Sequence, residues 1–238
     1  MNTKRKPPLT ATIRAEHIDP FDALTGNQQK AADSWNDGKN LILSGSPGTG
    51  KTFIGLHFGL SAVLDKNTPF EKLMIIRSIV PTRDIGFLPG DEKEKKEAYI
   101  KPYVPMLAQM VGATSAWGML NTQKTIDFES TSFIRGLTLD NTIVLVDEMQ
   151  NLNFHELDSV ITRAGLNTRL IFCGDYHQSD FRNKQERDGI GKFMRITDRM
   201  ISFDTVKFGW EDIVRSDLVR DYIMTKEMLE EKSNVHNS

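Results

Sequence analysis

One string constrains this chain more than any other. Gly45-Ser46-Pro47-Gly48-Thr49-Gly50-Lys51-Thr52 fills every fixed position of G-x-x-x-x-G-K-[ST]. At about 7% Gly, about 6% Lys and about 12% Ser plus Thr, the pattern arises at odds of about 0.00004 per position, so below about 1% over the chain. Context narrows it further. The apolar run Asn40–Ser44 precedes the string, and residues 51–64 carry Phe53, Ile54, Leu56, Leu60 and Val63 at helical spacing. A strand, a glycine turn and a helix in that order let successive backbone N–H groups curl around a phosphate, with the positive helix end behind them. Gly45, Ser46, Pro47, Gly48, Thr49 and Gly50 are then the cradle, Lys51 reaches the β/γ oxygens, and the Thr52 hydroxyl ligates magnesium. The expected ligand is a nucleoside triphosphate with Mg2+.

The rest of the chain alternates strand and helix signals. Lys72–Arg77, Thr142–Val146, Arg169–Phe172 and Met200–Phe208 read as strands. Helical segments are expected at 27–37, 154–162 and 216–231, the second opened by Asn153 and Glu156 as a capping box. Apolar strands separated by helices point to a parallel α/β sheet. Residues 78–91 read as a loop punctuated by Pro81, Gly86, Pro89 and Gly90, and 91–101, with both charges interleaved, as a solvated helix. The expected organisation is a flexible basic tail over 1–20, one domain over 21–231 and a disordered tail over 232–238. At 238 residues and 39% hydrophobic, the chain can bury a single mixed core.

Several function classes fall away. The longest apolar runs are five or six residues, whereas a spanning helix needs about 20, so no membrane role is expected. Charges at the N-terminus have no apolar run behind them, which argues against a secretory signal. Cys173 is the one cysteine, so an intrachain disulfide or a cysteine-based zinc site is ruled out, and a cytoplasmic location is expected. The five histidines are scattered. A net charge of −2 argues against a highly basic nucleic-acid coat and leaves room for a local basic groove.

Two further stretches carry chemistry. Thr142–Val146 runs into Asp147-Glu148, and the carboxyl end of a strand in such a sheet faces the nucleotide crevice. Asp147 is placed to hold the magnesium and Glu148 to orient and deprotonate the attacking water. Gly174-Asp175-Tyr176-His177-Gln178 follows the next strand. Gln178 there reads equally as a sensor of the γ-phosphate and as part of an ordinary Gly-Asp turn.

Taken together, Gly45–Thr52, Gly86-Phe87-Leu88-Pro89-Gly90-Asp91, Val146-Asp147-Glu148-Met149-Gln150-Asn151 and Gly174–Gln178 resemble the PhoH family. The family's D-E-A-Q-N motif has Met149 in place of the alanine here. The family is similar to the first RecA-like half of superfamily 1 helicases, so the resemblance implies a three-layer α/β P-loop NTPase (RecA-like) fold with a mostly parallel sheet. It also implies binding and hydrolysis of ATP, and in some members RNA-linked activity. Gln28 resembles the helicase glutamine that recognises adenine; an amide can donate to N7 and accept from the 6-amino group. Departing from the family, Ser78 stands where a proline often follows Arg77. Only 60 residues follow Gln178, too few for a second RecA-like domain to supply an arginine across the crevice. The expectation is therefore a homo-oligomer, such as a hexameric ring, with Arg163 or Arg215 as the finger; a surface ion pair is the competing reading of each.

Single-stranded RNA or DNA would need cations and aromatic stacking surfaces. Arg77, Arg83, Lys101, Tyr103, Phe133 and Arg135 are of the right types, with Arg77 and Arg135 the leading contacts. Two other classes compete with a nucleic-acid-linked ATPase. A small-molecule kinase or GTPase would use Arg182, Arg187 and Arg195 as a lid, or Asn183-Lys184-Gln185-Glu186 to read guanine, one methylene away from N-K-x-D. An ATP-switched regulatory oligomer would need no base at Glu148.

Overall fold

The computed structural model describes residues 12–78, 92–134, 136–175 and 184–235. Among them, six strands form one sheet: β1 Asn40–Gly45, β2 Lys72–Arg77, β3 Ile126–Ser130, β4 Thr142–Val146, β5 Arg169–Gly174 and β6 Phe203–Phe208. Their order is β3-β2-β4-β5-β1-β6, and every pairing is parallel. The four inner strands are buried on both faces, which is why they read as continuous apolar runs.

Alternate residues of each strand feed two cores. Leu41, Leu43, Leu73, Ile75, Ile143 and Leu145 face one side, against helices α1 (Gly26–Asn36), α2 (Lys51–Leu64), α4 (Tyr103–Val111) and α5 (Ala116–Thr122). Ile42, Ile76, Val144, Val146 and Phe172 face the other, against α6 (Phe154–Thr162) and α7 (Lys184–Thr197). The three-layer α/β architecture implied by the family resemblance is thus present. Helix α3 (Glu92–Ile100) lies near β3, where Lys96 pairs with Glu129 at 2.8 Å, and α8 (Asp217–Val235) ends the described chain.

Some boundaries differ from the sequence reading. Met200 and Ile201 form a turn, with Ile201 90% exposed, so β6 starts only at Phe203. β3 was not anticipated: Ile-Asp-Phe-Glu-Ser alternates because an edge strand buries one face, and two apolar residues make a weak signal. Nor were α4, bounded by Pro102 and a left-handed Gly112, α5 or α7.

Described structure reaches into both segments expected as tails. Ile13 is 1% exposed, and its backbone exchanges hydrogen bonds with the Gln123 amide at 2.7 and 3.1 Å. His17 is buried, and Asp19 bonds to Met110 through its N–H and to His57 through its carbonyl. Residues 12–20 are therefore seated on the domain rather than loose. At the other end, helix α8 continues through 232–235, where a disordered tail was expected.

Candidate functional site

The glycine string joins β1 to α2. Gly45, Gly48 and Gly50 all have left-handed φ, at 129°, 76° and 86°, which turns the intervening backbone into a closed loop. Thr49 closes it by donating its hydroxyl to the Ser46 carbonyl at 3.0 Å. Lys51, the first residue of α2, folds back over the loop. Its Nζ donates to the carbonyls of Gly45 and Ser46, each at 2.7 Å. Burial draws its pKa below the ordinary lysine value, while negative charge at Asp175, Glu148 and Asp147 pulls the other way.

The acids stand at the carboxyl end of β4, beside the loop. Asp147 is 4% exposed and both its oxygens are engaged. Thr52 Oγ1 donates to Oδ1 at 2.8 Å, and the Tyr103 hydroxyl donates to Oδ2 at 2.9 Å. Burial and then the neighbouring Glu148 charge push the Asp147 pKa up, against hydrogen bonding from Thr52, the charge of Arg77 and hydrogen bonding from Tyr103. The Thr52 hydroxyl and an Asp147 oxygen form a pair of hard oxygen donors at the mouth of the loop. That set fits magnesium, which takes one or two protein oxygens and completes its shell with phosphate and water. Among the described residues no group of three His, Cys, Asp or Glu forms an alternative metal cluster.

Glu148 has left-handed backbone angles of 53° and 47°. For a non-glycine residue this costs about 1–2 kcal/mol, so its neighbours must hold it there. Gln150 does so on the side-chain side. Its Nε2 donates to Glu148 Oε2, and its Oε1 accepts the Asp175 N–H at 3.1 Å, tying the tips of β4 and β5 together. Gly174 leaves room for this bridge: a Cβ there would lie 2.4 Å from Gln150 Oε1 and 2.7 Å from Met149 Cγ. Met149 itself is fully buried in the second core.

Other expected residues are placed less simply. Gln28, 4% exposed, reaches the loop, where its Nε2 donates to the Thr49 carbonyl at 3.1 Å and its Oε1 accepts the Leu24 N–H at 3.0 Å. The amide keeps one N–H and one lone pair beyond these bonds. Arg77, expected as a nucleic-acid contact, is half-buried near the acid tip. Burial alone would lower its pKa, but Tyr103, Asp147 and Glu148 outweigh burial and raise it, and its guanidinium lies 5.9 Å from the Tyr99 ring centre. Tyr103, also expected as a stacking residue, is fully buried.

Arg215, one of the two candidate fingers, is exposed and lies beside its own loop. A Cβ on Gly48 would sit 3.0 Å from Arg215 Cγ, and the Val214 N–H bonds to the Gly48 carbonyl at 3.0 Å. Glu227 of α8 accepts from Ser46 Oγ at 2.9 Å and from Trp210 Nε1, so the segment from 210 to 227 backs the loop, a contact without a sequence signal. Arg163 caps the C-terminus of α6, at the end of the sheet remote from the loop, and is half-buried with a buried Nε that has no hydrogen-bond partner. Gln178, Arg135, Arg83, Arg182, Asn183 and Gly86–Gly90 lie outside the described residues, as do the side chains of residues 184–188.

The model of the PhoH-like protein family matches residues 20–227. The chain belongs to that family. Among its relatives, Protein PhoH of Escherichia coli (strain K12) is 31% identical over 188 residues, covering 76% of this chain and 51% of that one. Protein PhoH2 of Bacillus subtilis (strain 168) is 34% identical over 144 residues, covering 59% of this chain and 32% of the relative. The chain thus spans about half the length, or less, of these family members. In fold it is similar to the large terminase of bacteriophage HK97, with a TM-score of 0.52 at 12% identity over 85% of this chain and 47% of that one. It is likewise similar to the large terminase of a thermophilic bacteriophage in complex with ATP-gamma-S, with a TM-score of 0.50 at 16% identity over 85% and 48% of the two chains. These two likenesses concern the fold. The residues that carry the family pattern here are the loop, Asp147-Glu148, Gln150 and Gly174.

Proposed function

We propose that this chain is a magnesium-dependent ATPase that couples hydrolysis to binding or remodelling of single-stranded nucleic acid, RNA before DNA. The observation that carries the ATPase half is the 2.8 Å contact between Thr52 and Asp147, which puts the expected metal donors of the loop and of β4 at one point. Lys51 neutralises charge on the β/γ oxygens from the adjacent position, and the bound Mg2+ would offset charge on the phosphates. Glu148, held by its backbone and by Gln150, orients and deprotonates water. Gln28 reads adenine with the donor and acceptor left over from its backbone bonds, and Gln178 senses the γ-phosphate.

Support for the nucleic-acid half comes from family membership and from surface chemistry. Lys101 lies two residues before α4, which begins at Asp147's partner Tyr103, and Phe133 follows the carboxyl end of β3. Both are exposed near the same edge of the sheet, Phe133 at 54%. They supply the charge and stacking face that single strands use. Association into a ring belongs to the same proposal. Arg163 or Arg215 is the arginine that a neighbouring copy would bring.

Phosphate release by the purified protein, with and without single-stranded RNA and DNA, tests this. The expected result is Mg2+-dependent release stimulated by RNA more than DNA. Release with no stimulation by either points to the nucleotide-switched oligomer, and ADP formation that needs a small-molecule acceptor, with the phosphoryl group on that acceptor and no free phosphate, points to a kinase. Light scattering that shows only monomer with ATP present removes the ring and with it the role of either arginine.

A further inference from the structure

Asp147 is the one acid at the site whose two oxygens both have side-chain donors among the described residues, and only one of those donors belongs to the loop. The second is Tyr103, the first residue of α4, 44 positions away in sequence and completely buried against Phe128 with ring centres 6.2 Å apart. A carboxylate turns easily about its last bond, and a single donor at Oδ1 leaves its plane free. The hydroxyl at Oδ2 removes that freedom.

Arg77, at the end of β2, is the cation beside this hydroxyl. Its positive charge stands near the phenol and the Asp147 and Glu148 carboxylates, while the hydroxyl itself donates to Oδ2 at 2.9 Å. The phenol proton is then committed to Asp147. Tyr103 thus takes one carboxylate oxygen, Oδ2, and leaves Oδ1 to Thr52.

We infer that Tyr103 is a positioning residue for the metal site: its hydroxyl, donated to Oδ2, locks the plane of the Asp147 carboxylate in the attitude that serves magnesium. This rests on the reading of Thr52 and Asp147 as the metal's protein donors. Groups that orient a metal ligand matter about 10–100-fold in metal affinity or activity when removed. A tyrosine that merely filled space would show no such effect on loss of its oxygen.

The test is Tyr103→Phe in the full chain, which keeps the ring and its packing on Phe128. Mn2+ binding followed by electron paramagnetic resonance with ADP present reads the metal site without turnover. A fluorescent ADP analogue titrated in EDTA reads nucleotide affinity without metal. The expected result is a roughly tenfold rise in half-saturating Mn2+, with metal-free nucleotide affinity and melting temperature close to wild type. ATP turnover should fall and partly recover as Mg2+ is raised.

An unchanged Mn2+ affinity overturns the inference. So does an equal loss of metal-free nucleotide affinity together with a lower melting temperature, which would make Tyr103 a packing residue. If Tyr103→Phe does not fold, Tyr103→His keeps a ring without the phenol, and no rise in half-saturating Mn2+ there is equally fatal. Should wild type bind ADP but no Mn2+, the assignment of Thr52 and Asp147 fails first and carries this inference down with it.

Discussion

The phosphate-binding loop and the acid tip lie side by side at the carboxyl edge of one sheet, and they are built in opposite ways. The loop is a stretch of eight consecutive residues whose main internal contacts stay inside it: Lys51 to Gly45 and Ser46, and Thr49 to Ser46. Its working groups are backbone N–H groups, set by three glycines with left-handed φ. The acid tip is assembled from afar. Asp147 leans on Thr52, 95 positions away, and on Tyr103, 44 positions away, while Gln150 reaches 25 positions to Asp175. A backbone device can be written locally, whereas a side-chain device depends on the whole fold to bring its parts together.

This contrast can be broken by substitution. The largest effect is expected for Glu148→Gln, which should lower turnover by about 10²–10⁴-fold while ATP binding persists. Equal turnover in phosphate-release assays would remove the role assigned to that carboxylate. Lys51→Ala should follow, with a loss of about 10²–10³-fold in turnover and weaker binding of ATP, read by titration with a fluorescent analogue.

Gly174→Ala separates the two regions more sharply. Its new Cβ would collide with Gln150 and Met149 and so release Glu148, at a stability cost of about 1–3 kcal/mol in thermal or urea unfolding. Nucleotide affinity should hardly change, because the loop is untouched; a large loss of affinity with normal turnover would contradict the division. Ser46→Ala is the smallest change. It gives up the bond to Glu227, about 1 kcal/mol of stability, and should leave turnover within about twofold because the cradle is made of backbone.

The same division explains what could be read in advance. The loop, β2, α2, β4 and α6 are legible because each is a contiguous pattern: glycine spacing, an apolar run or a capping box at Asn153. Asp147 and Glu148 are legible as types at a strand end. Their partners are not. Tyr103 and Arg77 resemble surface groups suited to nucleic acid; packing of α4 brings Tyr103 onto Asp147, and the pairing of β2 with β4, which sets Ile76 beside Val146, brings Arg77 to the acid tip. Arg215 and Glu227 reach the loop because β6 lies against β1, a neighbour relation with no trace in local sequence. β3 escaped for another reason, since its outward Asp127 and Glu129 break the apolar run.

The place of β1 has a consequence for how the protein comes into being. The strand that carries the loop is flanked by β5 and β6, so Leu41 pairs with Ile171 and Asp204. Neither flank is reached until well over half of the polypeptide has joined the sheet. Sheets closed by such distant partners assemble slowly, and a half-assembled intermediate would have β1 at an open edge. Competence to grip nucleotide should therefore arrive all at once and late, and a bound Mg-nucleotide should resist unfolding of every strand together rather than of the loop alone.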